Sequence, residues 1–202
     1  MEIYLIRHGQ INRNGTCEDY FYKLNDDGNL AAKNASLFVK RAVFDKSLNN
    51  ILLSSNTIRT IQTSLYFSDA LQLKINIVDN VHELDMGFNE CKPKSEWLYV
   101  DDNNCFVSRD GMTYDQKFVT RHYKGESPYD VYMRVKVLEN MIYSSDCDCM
   151  YIVGHGTSLR LLTMRLLEKD AKWFYDEELP SNCSIRKLTL NKRVTDNGYI
   201  WR

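Results

Sequence analysis

Two arginines, two histidines and one glutamate carry the chemistry this chain can offer. Arg7-His8 closes the apolar run Ile3-Tyr4-Leu5-Ile6, Arg59 stands in the first turn of a helical pattern after Ile51-Leu52-Leu53, and His155 lies between Gly154 and Gly156 after Met150-Tyr151-Ile152-Val153. In open α/β sheets, ligands bind beyond the carboxyl ends of the strands, where loops and helix N-termini converge. Two guanidinium and two imidazole groups delivered to one such crevice describe an anion pocket, reinforced by the N–H groups of helix starts. Glu83, just past the run Ile75-Asn76-Ile77-Val78, adds a carboxylate that could stand at its rim. Taken singly, a histidine is more often a satisfied structural residue, and an arginine more often half of a solvated ion pair. What favours a ligand site is repetition at successive strand exits, with glycine beside both histidines, where the backbone can approach a ligand closely.

Other chemistries fall away. Gly154-His155-Gly156-Thr157-Ser158-Leu159 follows a strand but lacks the third glycine of a dinucleotide fingerprint, and there is no G-x-x-x-x-G-K-[ST] phosphate loop. The histidines His8, His82, His122 and His155 show neither H-x-H nor H-E-x-x-H spacing, and the arginines would repel a metal ion, so no metal and no cofactor are expected. Cys147 and Cys149 form C-x-C, while Cys17, Cys91, Cys105 and Cys183 stand alone, so all are read as thiols. A balance of 26 Lys+Arg against 27 Asp+Glu argues against a nucleic-acid partner. No apolar run approaches the ~20 residues that span a bilayer, and Met1-Glu2-Ile3-Tyr4 lacks the basic start of a signal peptide. A cytoplasmic protein without a membrane partner is the expectation; oligomeric state is not legible.

The elements that must position these residues follow from periodicity. A length of 202 residues suits one α/β domain, with short apolar runs alternating with helical segments as in β-α-β units. Strands are expected at 3–6, 51–53, 75–78 and 150–153. Ala31, Ala35, Phe38 and Ala42 mark one face of a helix after Asp26-Asp27-Gly28, and Ile58, Ile61 and Leu65 another, with Ser54-Ser55-Asn56-Thr57 supplying N-cap residues. Between residues 85 and 126 periodicity fades, which reads as a loop-rich insertion with short helices. Ser127, Pro128 and Asp130 then form a capping-box start to a helix carrying Val131, Val135, Leu138 and Ile142. Leu159, Leu162 and Leu166 mark a further helix, and Ser184–Leu190 alternates as an antiparallel edge strand. The expected architecture is a three-layer α/β/α sandwich on a mostly parallel sheet.

At this point the motifs resemble a known family. Leu5-Ile6-Arg7-His8-Gly9 is similar to the R-H-G signature of the histidine phosphatase superfamily, the phosphoglycerate-mutase-like fold, and Asn14 stands where that motif has its asparagine. Leu24-Asn25-Asp26-Asp27-Gly28 resembles the family's L-T-x-x-G. Ser54 to Thr63 resembles S-S-x-x-x-R-x-x-Q-T, and Glu83 to Glu90 resembles E-x-x-x-G-x-x-E. Gly125-Glu126-Ser127 matches G-E-S, Val153 to Gly156 the second H-G, and Asn182-Cys183-Ser184 the late N-x-S. The ordered set spans residues 3 to 184. There are departures: Ile11 replaces a usual Ser or Thr, Met86 a mutase tyrosine, and Cys91 a glycine.

The resemblance implies His8 as nucleophile, Arg7, Arg59 and His155 as the clamp on a phosphoryl group, Asn14 as a further donor, and Glu83 as proton donor. It implies a metal-independent phosphatase of a small phosphorylated metabolite, working through phosphohistidine. A neutral imidazole meets no charge repulsion from the phosphoryl group, and cationic donors can take the place of Mg²⁺. A phosphoglycerate-type mutase is the alternative; a non-catalytic phospho-ligand module is a third reading, which Ile11 alone supports. Residues 88–124 are expected to cap the pocket. Lys92, Lys94, Arg109, Arg121 and Lys124 are candidates to contact a second anionic group of the substrate, and Asn182 joins Arg121 as a candidate substrate residue.

Overall fold

The first apolar run becomes β1 (Glu2–Arg7), and in the computed structural model it occupies an interior place in a six-stranded sheet. The structure describes residues 1–12, 21–90, 92–191 and 193–202. On one side β1 pairs in parallel with β7 (Cys149–Gly154), which pairs with β2 (Asn50–Ser54), which pairs with β3 (Ile75–Ile77). On its other side β1 pairs antiparallel with β8 (Ile185–Leu190), and β8 with β9 (Val194–Trp201). The expected antiparallel margin is therefore a hairpin. Ser184–Leu190 does not form its edge, because β9 covers it. The alternation of Ile3 and Leu5 against Tyr4 and Ile6 divides the two faces of the sheet between two cores.

Helices cover both faces. α1 (Asp26–Ala42) and α2 (Ile58–Leu71) contribute Ala32, Ala35, Val39 and Phe67 to the core of one face. The buried stripe of α1 is rotated by one residue from the expected Ala31-Ala35-Phe38-Ala42: Ala42 is exposed, and Phe38 leans on Trp201 with ring centroids 4.9 Å apart. The helix also starts earlier than its apolar residues suggest, because the Asn25 side chain caps it by accepting from Gly28 N–H at 2.7 Å. The opposite face holds α4 (Pro128–Arg134), α5 (Lys136–Ser144) and α6 (Gly156–Leu166). α4 starts with the expected Ser127/Asp130 capping box. The expected stripe Val131, Val135, Leu138 and Ile142 is fully buried, although Val135 separates two helical segments rather than sitting within one.

Between β3 and α4 lies more order than a loop-rich insertion. The strands β4 (Tyr99–Val100), β5 (Phe106–Val107) and β6 (Arg121–His122) make a three-stranded antiparallel sheet, beside the short helix α3 (Tyr114–Val119). Strands of two residues are too short to leave a period in the sequence. α7 (Ala171–Asp176) follows α6 and was likewise not legible. Among the described residues no helix is long and apolar enough to cross a membrane.

One packing contact ties the fold to the anion pocket. A Cβ on Gly28 would lie 2.1 Å from the Gln10 carbonyl oxygen, so only glycine lets α1 abut the segment that follows β1. Gly28→Ala replaces a poor helix former by the best one, a change that favours an open helix by about 1 kcal/mol. Here the sign should reverse, with a loss of about 1–3 kcal/mol from overpacking. Urea unfolding checks it; unchanged or increased stability would contradict the contact.

Candidate active site

The segment after β1 is held from three sides. Arg7 N–H donates to Ser184 O at 3.2 Å, His8 N–H to Gly154 O at 3.0 Å and Gly9 N–H to the Thr63 hydroxyl at 3.0 Å. Asn182 Nδ2 donates to His8 O at 2.9 Å. The exits of β1 and β7, the first half of α2 and the turn before β8 thus fix one short stretch of backbone.

That stretch sets the proton positions on His8. Its Nδ1 lies 2.7 Å from Gly9 O. A carbonyl only accepts, so Nδ1 carries the proton and Nε2 presents a lone pair. Arg59, 2% exposed, donates Nε–H to that lone pair at 3.3 Å and Nη2–H to His155 Nδ1 at 3.1 Å. His155 then carries its proton on Nε2, which faces Ser55 Oγ at 3.1 Å and Thr57 Oγ1 at 3.3 Å. These hydroxyls stand in the segment expected to cap α2. Thr57 is indeed the N-cap residue, but its side chain makes no capping bond and turns to His155 and Thr60 instead. Burial above all, and then the neighbouring His8 and the Arg59 charge, hold the His155 imidazole well below its ordinary pKa.

A cleft of about 510 Å³, open to solvent, is lined by Arg7, His8, Gln10, Ile11, Arg59, Glu83 and Asn182. Among the described lining residues, two guanidinium groups against one carboxylate give a positive excess suited to an anion. Glu83 enters from the stretch after β3. Its carboxylate accepts from Thr157 N–H, in the first turn of α6, at 3.2 and 3.3 Å, and from Leu84 N–H at 2.9 Å. Arg7 donates through Nη1 to Pro180 O. Ile11, which replaces the Ser or Thr of the motif it resembles, lines the cleft with an apolar surface.

Five of the expected residues, Arg7, His8, Arg59, Glu83 and Asn182, meet in this cleft. His155 stands behind it, fully buried, in contact with Arg59. Arg121 does not reach it: on β6 its guanidinium pairs with Asp130 at 2.7 Å, because the capping carboxylate of α4 lies nearer. No lining residue of the cleft comes from 88–124 among the described residues. The cations there lie on aromatic rings instead: Lys92 over Phe88, Lys94 over Trp97, Lys124 over Tyr123 and Arg109 over Tyr99. Asn14, Cys17 and Cys91 lie outside the described residues. Sequence reasoning missed Gln10, and it missed the roles of Ser55, Thr57 and Thr63, whose hydroxyl chemistry was in view but whose direction was not. Among the described residues no group of three or more His, Cys, Asp or Glu side chains is gathered as metal ligands would be.

The fold and this site define a phosphoryl-handling α/β protein of the phosphoglycerate-mutase-like kind. The chain belongs to the histidine phosphatase superfamily, branch 1, whose family model matches residues 3–196. A search of curated proteins by sequence found no match. Solved structures share the fold at low identity. A mycobacterial glucosyl-3-phosphoglycerate phosphatase superposes with a TM-score of 0.73 at 18% identity, over 99% of this chain and 97% of that one. An α-ribazole phosphatase from Shigella flexneri gives 0.74 at 21% identity, over 98% and 96%. A phosphoserine phosphatase from Entamoeba histolytica, bound to phosphoserine as a histidine-to-alanine mutant, gives 0.71 at 17% identity, over 98% and 95%.

His122, outside the cleft, gives a pH dependence. His122 is 3% exposed, accepts at Nδ1 from Asn89 Nδ2 at 2.8 Å, and is pushed down to about 4 by burial and the Arg109 charge. The unfolded chain therefore takes up this proton first. The stabilisation is full above about pH 6.5 and is lost as pH falls toward 4, with about 2 kcal/mol gone by pH 5. Urea unfolding of the protein and of His122→Gln from pH 7.5 to 5 reads this; equal slopes for the two would refute it.

Proposed function

We propose that the chain is a metal-independent phosphatase that hydrolyses a small phosphomonoester through a phosphohistidine at His8. The observation that carries this reading is the orientation of His8: an Nδ1–H tied to Gly9 O leaves Nε2 as the nucleophilic atom, within a positive cleft that also holds Glu83. Arg7 and Arg59 take two non-bridging oxygens of the phosphoryl group, and His155 orients Arg59 from behind. His8 Nε2 forms a bond to phosphorus while the ester P–O bond breaks, and the Glu83 carboxyl delivers its proton to the leaving oxygen. The resulting carboxylate takes a proton from water, whose oxygen attacks phosphorus and releases phosphate and neutral His8. Asn182 fixes the His8 carbonyl, and Asn14 is proposed as a further donor to the phosphoryl group.

Family membership and the printed names of the three structural neighbours above, each a phosphatase, support the hydrolytic reading. Back-transfer needs an intermediate gripped by its remaining groups, and among the described residues those of 88–124 contribute no cation to the lining, which supports hydrolysis over a mutase. The segment carrying β4 to β6 is read as an insertion in one domain that spans the whole chain, not as a second domain.

Incubation with p-nitrophenyl phosphate in EDTA should release phosphate, and His8→Ala should lower the rate by about three orders of magnitude or more. Quenched reactions should contain a protein-bound phosphoryl group that is acid-labile and base-stable. Turnover that survives His8→Ala would sink the nucleophile, and interconversion of phosphoester isomers without phosphate release would establish the mutase instead.

A further inference from the structure

Glu83 sits in a stretch of backbone that belongs to no helix or strand, since residues 82–86 lack regular structure. A proton donor there must be held by something else. Arg134, in the last turn of α4, does so from behind. Its Nη1 donates to Asn80 O at 2.8 Å and its Nη2 to Glu83 O at 2.9 Å. The same guanidinium meets the Glu126 carboxylate through Nε at 2.8 Å and Nη2 at 3.0 Å. Glu126 in turn accepts from Asp85 N–H at 3.0 Å, and its own N–H donates to Asp85 O at 2.8 Å. The backbone is thereby gripped before, at and after Glu83 by one ion pair whose side chains are 14% and 21% exposed. Neither residue lines the cleft.

The placement of this pair explains the Gly125-Glu126-Ser127 triplet. A Cβ on Gly125 would stand 2.5 Å from Asp85 O, so glycine lets the two segments touch. Ser127 caps α4 in a reciprocal box with Asp130, which fixes the start of the helix. Glu126 then lies just before the helix and Arg134 at its end, on the side that faces residues 80–85.

We propose that Arg134 and Glu126 are positioning residues that aim the Glu83 carboxyl at the leaving oxygen. This rests on the reading of Glu83 as the proton donor. When the ester P–O bond breaks, its electron pair goes to the leaving oxygen, and the donor matters in proportion to that oxygen's basicity. An alkoxide needs the proton; p-nitrophenolate hardly does. A misaimed Glu83 therefore has a signature that general loss of structure does not share.

The experiment measures kcat/KM for p-nitrophenyl phosphate and for an alkyl phosphomonoester such as phosphoserine, in Arg134→Met, Arg134→Lys, Glu126→Gln and the reference variant Glu83→Gln. The kcat/KM values report steps up to phosphoenzyme formation, before the hydrolysis step in which Glu83 acts again. Arg134→Met should lose about 10- to 100-fold on the alkyl ester and less than about 3-fold on p-nitrophenyl phosphate. Arg134→Lys, which keeps the charge but not the fork, should recover part of the loss. Glu126→Gln should show the same selective pattern at smaller size, and it decides the question if Arg134→Met does not fold. Equal losses on both esters, or no loss, in folded variants would overturn the positioning role while Glu83→Gln still discriminates between the esters. If Glu83→Gln itself fails to discriminate, the proton-donor reading falls and this proposal falls with it.

Discussion

The site depends on one buried cation lodged between two imidazoles. Arg59 is almost wholly removed from water, and its Nε–H and Nη2–H reach His8 and His155. Burying a guanidinium is costly unless its donors are met, and meeting them with ring nitrogens requires that both rings present lone pairs. Each ring must then place its own proton elsewhere. His8 gives its proton to Gly9 O, and His155 faces Ser55 and Thr57 with its own. The tautomers, and with them which nitrogen of His8 keeps a lone pair, follow from this arrangement.

Sheet order makes the arrangement possible. β2, β7 and β1 are parallel neighbours, so their carboxyl ends open on the same edge and bring Ser54-Ser55, Gly154-His155 and Arg7-His8 side by side. β8 runs the other way, so its beginning, with Asn182 and Ser184 just before it, arrives at that edge too. The helices α2 and α6 start there, one delivering Arg59 and the other the Thr157 N–H that binds Glu83. Glu83 differs from the rest because no ladder holds it, and its backbone depends on contacts from α4.

Two polar groups take partners other than those a reading of their own segment suggests. The Thr57 hydroxyl caps no backbone N–H of its helix and is shared between Thr60 Oγ1 at 2.9 Å and a histidine 98 positions away at 3.3 Å. Arg121 leaves the cleft for a carboxylate nine positions away. A short local bond tends to win where solvent is near, as at Arg121, and burial adds a long-range partner where an imidazole needs one, as at Thr57. Sequence separation did not predict either outcome.

Period and chemistry carried much of the fold and most of the site. The strands at 3–6, 51–53 and 150–153, the stripe from Val131 to Ile142 and the arginine and histidine positions at strand exits are written in local pattern, because alternation and helical spacing express burial one element at a time. The hairpin partner β9, the two-residue strands β4 to β6 and the rotation of α1 are not, because each depends on pairing or packing with residues far along the chain. The same division holds at the site. Residue type identified Arg7, His8, Arg59, Glu83 and His155 as candidates. Only the tertiary structure put His155 behind the cleft rather than in it, kept Arg121 out, and set Arg134 and Glu126 against the backbone of Glu83, since those relations are distances between elements and not properties of any one of them.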